Sequence, residues 1–148
     1  GTTIFVLDEK TPDAPGSVYA IDAADPTDLK LQSRYTTSSL IAGSMSVYNQ
    51  YAYVPAQAGG MDILNISSVT SPTLVRRQPL LTGSYGAQRI LRTLVVRLNN
   101  GYLRLLDATN PTSLRAIPVT NFKGVKVATS VDYMYVVGSE SFDVYRIR

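Results

Sequence analysis

Short runs of apolar and β-branched residues, broken every few positions by glycine, proline, asparagine or aspartate, fill the sequence, and no stretch keeps the three-to-four spacing of an amphipathic helix. Four of these runs align without gaps: Val18–Pro26, Met61–Val69, Leu103–Pro111 and Phe142–Arg148. Their starts lie about 42 residues apart. Down the columns, the first position (Val18, Met61, Leu103, Phe142) and the third (Ala20, Ile63, Leu105, Val144) are apolar. The second (Tyr19, Asp62, Arg104, Asp143) is mostly polar, and the fourth (Ile21, Leu64, Leu106, Tyr145) is again apolar. Alternation that fades into apolar residues on both sides predicts strands covered on both faces, as in stacked sheets.

A second β-rich run precedes each of the four: Ile4–Val6, Tyr51–Val54, Thr93–Val96 and Tyr133–Val137. Gly59-Gly60, Asn99-Asn100-Gly101 and Gly138-Ser139 separate the members of three pairs, so each pair is expected to be a hairpin. The first hairpin carries the longer insertion Asp8–Gly16. Turns at Asp25-Pro26-Thr27, Ser68-Val69-Thr70 and Asn110-Pro111-Thr112 lead to expected outer strands at Leu29–Thr36, Leu74–Leu81 and Leu114–Thr120. Return segments at Leu40–Tyr48, Ala87–Arg92 and Val125–Ser130 lead into the next hairpin. The prediction is all-β: a partial or open ring of about three and a half to four propeller blades, each a four-stranded antiparallel sheet. The first blade is expected to lack its innermost strand and the last its outermost. One domain, residues 1–148, divides into blade units near 1–39, 40–82, 83–122 and 123–148.

The 148 residues suffice for one sizeable core, and 45% hydrophobic with 17% charged residues fits a folded globule rather than a disordered chain. No apolar run approaches the roughly 20 residues of a membrane helix, so no membrane span is expected. The sequence has no cysteine, histidine or tryptophan. Disulfides, thiolate nucleophiles, imidazole bases and ordinary zinc or copper sites are thereby excluded. A chain without thiols fits any redox compartment, with a modest advantage outside the cell, where it avoids oxidation and mispairing. The sequence starts at Gly1 without a signal-peptide pattern, which reads as a processed or excised piece.

At the aligned residues the chain resembles the LVIVD-repeat family of bacterial and archaeal propellers. The resemblance rests on Tyr51-Ala-Tyr-Val-Pro55, Gly60-Met-Asp-Ile-Leu-Asn-Ile-Ser67 and Ser71-Pro-Thr-Leu-Val75, with a more degenerate copy at Gly101–Pro111. It implies a propeller fold and a bacterial or archaeal protein that is secreted or held at the cell surface, with no assigned reaction. The blade count falls short of a closed ring of roughly six to eight.

Candidate chemistry is sparse. Asp22, Asn65 and Asp107 share one repeat position, where capping of nearby backbone amides is the favoured reading over a metal-binding ring. The loop Asp8–Asp13 lacks the ligand spacing and glycine of a calcium loop. Glu9 and Glu140 are the only glutamates, so a paired-carboxylate glycosidase finds no local motif. No catalytic residue, metal site or cofactor is expected.

Three basic and seven acidic residues lie in the stretch ending at Thr70, against eleven basic and four acidic beyond it, so the two parts carry opposite net charge. Solvated surface is the simplest account. Two others are a head-to-tail partner surface and an anionic glycan held by Arg76, Arg77, Arg89 and Arg92. Cations on outer strands also discourage edge-to-edge pairing. The arginines fall in separate strands without a basic helix, so nucleic acid is not an expected partner. Asn65-Ile66-Ser67 has the N-glycosylation acceptor pattern at a position the repeat also explains structurally. Tyr48, Tyr85 and Tyr102 stand near turns, where they could contact sugars or proteins. The expected role is a non-enzymatic structural or interaction subunit of an extracellular or cell-surface assembly. It would be a homo-oligomer or polymer, or the remainder of a larger propeller.

Overall fold

The computed structural model describes all residues except 1, 10–14, 38, 40, 42, 119–122, 125, 131, 139, 147 and 148. Among the described residues fourteen strands follow in chain order. The first half holds β1 (Thr3–Asp8), β2 (Ser17–Asp22), β3 (Lys30–Thr36), β4 (Ser46–Tyr48), β5 (Tyr51–Pro55), β6 (Met61–Asn65) and β7 (Thr73–Gln78). The second half holds β8 (Ser84–Ile90), β9 (Thr93–Leu98), β10 (Leu103–Asp107), β11 (Arg115–Ala116), β12 (Lys126–Thr129), β13 (Tyr133–Val137) and β14 (Phe142–Arg146). They form four antiparallel sheets, β1-β2-β3, β4-β5-β6-β7, β8-β9-β10-β11 and β12-β13-β14, each a simple meander. The arrangement is open.

The central hairpins of all four sheets share one register. Thr3 pairs with Asp22, Tyr51 with Asn65, Thr93 with Asp107 and Tyr133 with Arg146, so the repeat can be compared residue by residue. Side chains alternate across each strand, and each inner sheet therefore buries both faces. Phe5, Leu7, Val18 and Tyr35 of the first sheet pack with Ala52, Val54 and Leu64 of the second. Tyr53, Met61 and Ile63 of the second meet Ala87, Leu94, Val96 and Leu106 of the third. Val95, Leu103 and Leu105 of the third meet Val127, Met134 and Val136 of the fourth. We call the side of a sheet that looks toward the next one in chain order its forward face, and the opposite side its backward face.

Two outer strands are shorter than the apolar pattern suggests. The strand expected over Leu74–Leu81 ends at Gln78, because Pro79 has no N–H to extend the ladder. The chain instead makes a 3₁₀ turn over Pro79–Leu81, closed by the Thr82 N–H on the Pro79 carbonyl at 3.1 Å. The strand expected over Leu114–Thr120 is reduced to Arg115–Ala116, with Ile117 adding one amide to the Leu105 carbonyl at 2.8 Å before Pro118 stops it. Both complete outer strands slip by one residue, β3 at Gln32 and β7 at Val75, which are bulges at one repeat position.

Close approach of the innermost segments demands glycine at position 43. Its φ is +74°, and a Cβ there would overlap the Tyr85 carbonyl oxygen of the neighbouring sheet. Beside it the Ala87 N–H donates to the Ser44 carbonyl at 2.8 Å, holding the second and third sheets together near the centre.

Candidate functional site

Asp22, Asn65 and Asp107 each end a β2-type strand, and each accepts the backbone N–H two residues on: Ala24 at 3.0 Å, Ser67 at 2.8 Å and Thr109 at 2.8 Å. Asp25 and Asn110 do the same for Thr27 and Thr112. These are Asx turns, and they explain the recurrence of the residue type without a metal. Hydrogen bonds from Thr27 hold the Asp25 carboxyl below its ordinary pKa, and those from Thr109, with smaller help from Arg92 and Arg115, do so for Asp107. Among the described residues no three acidic side chains gather as a metal-binding group. Of the Asp8–Asp13 loop, residues 10–13 lie outside the described ones. Asn65 is half-buried with its carbonyl engaged in the turn.

The four arginines singled out by the sequence each have their own partners. Arg77 on β7 reaches across to Asp62 on β6, donating from Nε to Oδ1 at 2.7 Å and from Nη2 to Oδ2 at 3.0 Å. Asp62 has no exposed surface, and its Oδ2 also receives the Tyr35 hydroxyl of the preceding sheet at 3.4 Å. This fork-shaped pair, missed in the sequence, satisfies a buried charge between the first two sheets. One signal was present: hairpin pairing sets the second column of the repeat opposite the outer strand, and Asp62 faces Arg77 there. Burial, reinforced by the Asp62 charge, pushes the Tyr35 hydroxyl above the usual tyrosine range.

Arg89 lies between the second and third sheets. Its guanidinium stands 4.5 Å from the Tyr48 ring centre and 5.4 Å from that of Tyr53, donates to the Tyr53 hydroxyl, and sends Nε to the Leu91 carbonyl at 2.9 Å. Burial raises the Tyr53 pKa against the opposing pull of Arg89. Arg76 bridges the same two sheets from Nη1 to the Thr112 carbonyl at 2.9 Å. Arg92 lines an open cleft of about 570 Å³ with Leu91, Thr93, Asp107, Thr109 and Ile117. The three tyrosines near turns each carry a cation on the ring: Arg89 on Tyr48, Arg97 on Tyr85 at 4.5 Å, and Lys123 on Tyr102 at 4.7 Å.

The remaining candidate surfaces are the two end faces. The backward face of the first sheet presents Ile4 and Val6 of β1, Tyr19 and Ile21 of β2, and Leu31 and Arg34 of β3, placed side by side by the strand register. Arg34 lies 5.6 Å from the Tyr19 ring centre and donates to the buried Ser17 hydroxyl at 2.9 Å. The forward face of the fourth sheet presents Tyr133, Tyr135 and Val137 of β13 opposite Arg146, Val144 and Phe142 of β14, with Tyr135 stacked on Phe142 at 6.2 Å. Ile4, Val6, Leu31, Tyr133, Val137, Phe142 and Val144 are all exposed. On each of the two faces these apolar residues are adjacent rather than scattered singly.

Repeated meanders of this kind, stacked face to face through apolar side chains, define a β-propeller-type protein with an open ring. Residues 41–78, spanning the second sheet, match the LVIVD repeat family, so the chain carries an LVIVD repeat. Among solved structures it is similar to the computationally designed Ika4 protein, with a TM-score of 0.64 and 9% identity over 100% of this chain and 94% of that one. It is also similar to the computationally designed Ika8 protein, with a TM-score of 0.57 and 13% identity over 95% of this chain and 45% of that one. Both likenesses concern the fold alone. Comparison with curated proteins gives no match. No helix is long and apolar enough to cross a membrane among the described residues.

Proposed function

We propose that the chain is a non-enzymatic interaction module whose working surfaces are its two end faces, the backward face of the first sheet and the forward face of the fourth. One observation carries this reading: Phe142 and Val144 lie together on a sheet face, exposed among the described residues. Leaving such a face in water forgoes the burial that stabilises every inner sheet. The cleft of about 570 Å³ at Arg92 is open, with the Asp107 carboxylate engaged by its own turn and attracted to Arg92. An extracellular or cell-surface setting is supported by the sequence having no thiol to oxidise.

Dye binding tests the proposal. At low protein concentration the wild type should enhance the fluorescence of an apolar-surface dye such as anilinonaphthalene sulfonate. Phe142→Ser with Val144→Ser should remove much of that signal, with stability changed by no more than about 0.5 kcal/mol per exposed site. A wild type that leaves the dye dark would overturn the reading.

A further inference from the structure

We infer that the occupant of each end face is the opposite end face of a second copy of this chain, stacked head to tail as the sheets already stack within one molecule. The inference rests on the proposal that the end faces are contact surfaces, and adds what they contact.

The shared hairpin register makes the comparison position by position. Ile4 and Val6 occupy the places of Ala52 and Val54 in the second sheet, Leu94 and Val96 in the third, and Met134 and Val136 in the fourth. All six counterparts are at most 1% exposed, each covered by the forward face of the preceding sheet, whereas Ile4 and Val6 are 45% and 40% exposed. At the other end, Phe142 and Val144 take the places of Val18 and Ala20, Met61 and Ile63, and Leu103 and Leu105. None of those six is more than 8% exposed, whereas Phe142 and Val144 are 65% and 53% exposed. A forward face meets a backward face at every one of the three internal interfaces. The fourth sheet thus retains the forward-face pattern and the first sheet the backward-face pattern. Each is shaped for the other kind, not for its own.

Charge agrees with that pairing. On the forward face of the fourth sheet, Lys126 is set beside Val137 and Phe142 at the hairpin end of the strands, and Arg146 stands at the opposite end. On the backward face of the first sheet, Asp8 follows Ile4 and Val6 at the hairpin end and Arg34 stands on the same face, while the turn at the opposite end carries Asp25 and Asp28, the latter paired with Lys30 at 2.8 Å. Head-to-tail stacking sets the Lys126 and Arg146 face against one of mixed charge, which carries Asp8 and Asp25 as well as Arg34. Stacking two forward faces would instead oppose cation to cation. A contact between different faces can propagate or close into a ring.

Sedimentation velocity over a concentration series from about 1 to 100 µM tests this, using the wild type, Ile4→Asp and Phe142→Asp. The wild type should shift to larger species as concentration rises, less so in high salt. Each variant alone should remain monomeric, since every contact needs one face of each kind. Mixing the two variants should restore a dimer and nothing larger, because each supplies the face the other lacks. Both residues are exposed, and cooperative thermal melts with midpoints unchanged in dilute solution show that the variants fold.

A wild type that stays monomeric across the series overturns the inference. If its faces still bind dye, the end faces remain contact surfaces for some other partner; if they do not, the underlying proposal falls with it. Ile4→Asp associating like the wild type would also overturn the inference, by showing that forward faces pair with each other. A mixture that remains monomeric would overturn it as well.

Discussion

Arg77→Ala is expected to lower the stability of the protein by about 3 kcal/mol at neutral pH, read as a shift in the urea midpoint at constant slope. The carboxylate of Asp62 is wholly buried, and Arg77 supplies two charge-assisted bonds to it at 2.7 and 3.0 Å. Removing the guanidinium leaves a buried charge with, among the described residues, the long bond from the Tyr35 hydroxyl alone. The expected cost sits at the lower end of the range for breaking buried pairs, because the Arg77 side chain is itself 36% exposed and water can enter from its side. Asp62→Asn with Arg77→Leu should recover part of the loss, since it removes the charge and fills the space with apolar atoms. Arg77→Ala within about 0.5 kcal/mol of wild type would mean that the pair does not satisfy a buried charge at Asp62.

Leu94→Ala and Ile4→Ala truncate the same repeat position and should differ severalfold in effect. Leu94 is fully buried between the second and third sheets, in a cluster with Tyr53, Met61 and Ile63. Its loss should cost about 2–5 kcal/mol through lost transfer energy and the cavity left behind. Ile4, on the uncovered backward face, should cost under about 1 kcal/mol when the protein is dilute. The two costs should converge when the protein is concentrated enough to associate. Equal costs in dilute solution would show that something already covers Ile4.

The stacked-sheet architecture was legible because it lives in spacing. A register common to four hairpins repeats the same apolar columns, and positions such as Ile63 and Leu105 announce burial wherever the repeat places them. The Asx turns were legible for the same reason, since their partners lie two residues away. Outer strands were overextended, because apolar content continues through Leu80 and Ile117 while backbone donors run out at Pro79 and Pro118.

Less legible was anything that depends on which sheet covers which face. Asp62 looks like a polar column residue until Tyr35, 27 positions earlier, is found packed against its sheet. Arg89 resembles a surface cation along its own strand, and only the neighbouring sheet supplies Tyr48 and Tyr53 to receive it. The end faces are the same lesson in reverse. Phe142 and Val144 fit the buried columns, yet they are exposed because the described residues form no fifth sheet to cover them.

Carbene footprinting of the intact protein, read residue by residue at low and high concentration, tests the claim that the end faces are the contact surfaces. Strong labelling of Ile4, Val6, Phe142 and Val144 is expected in dilute solution, with protection of all four at high concentration and little labelling of Ile63 and Leu94 at either. Labelling of the first four that is as weak as that of Ile63 in dilute solution would contradict it.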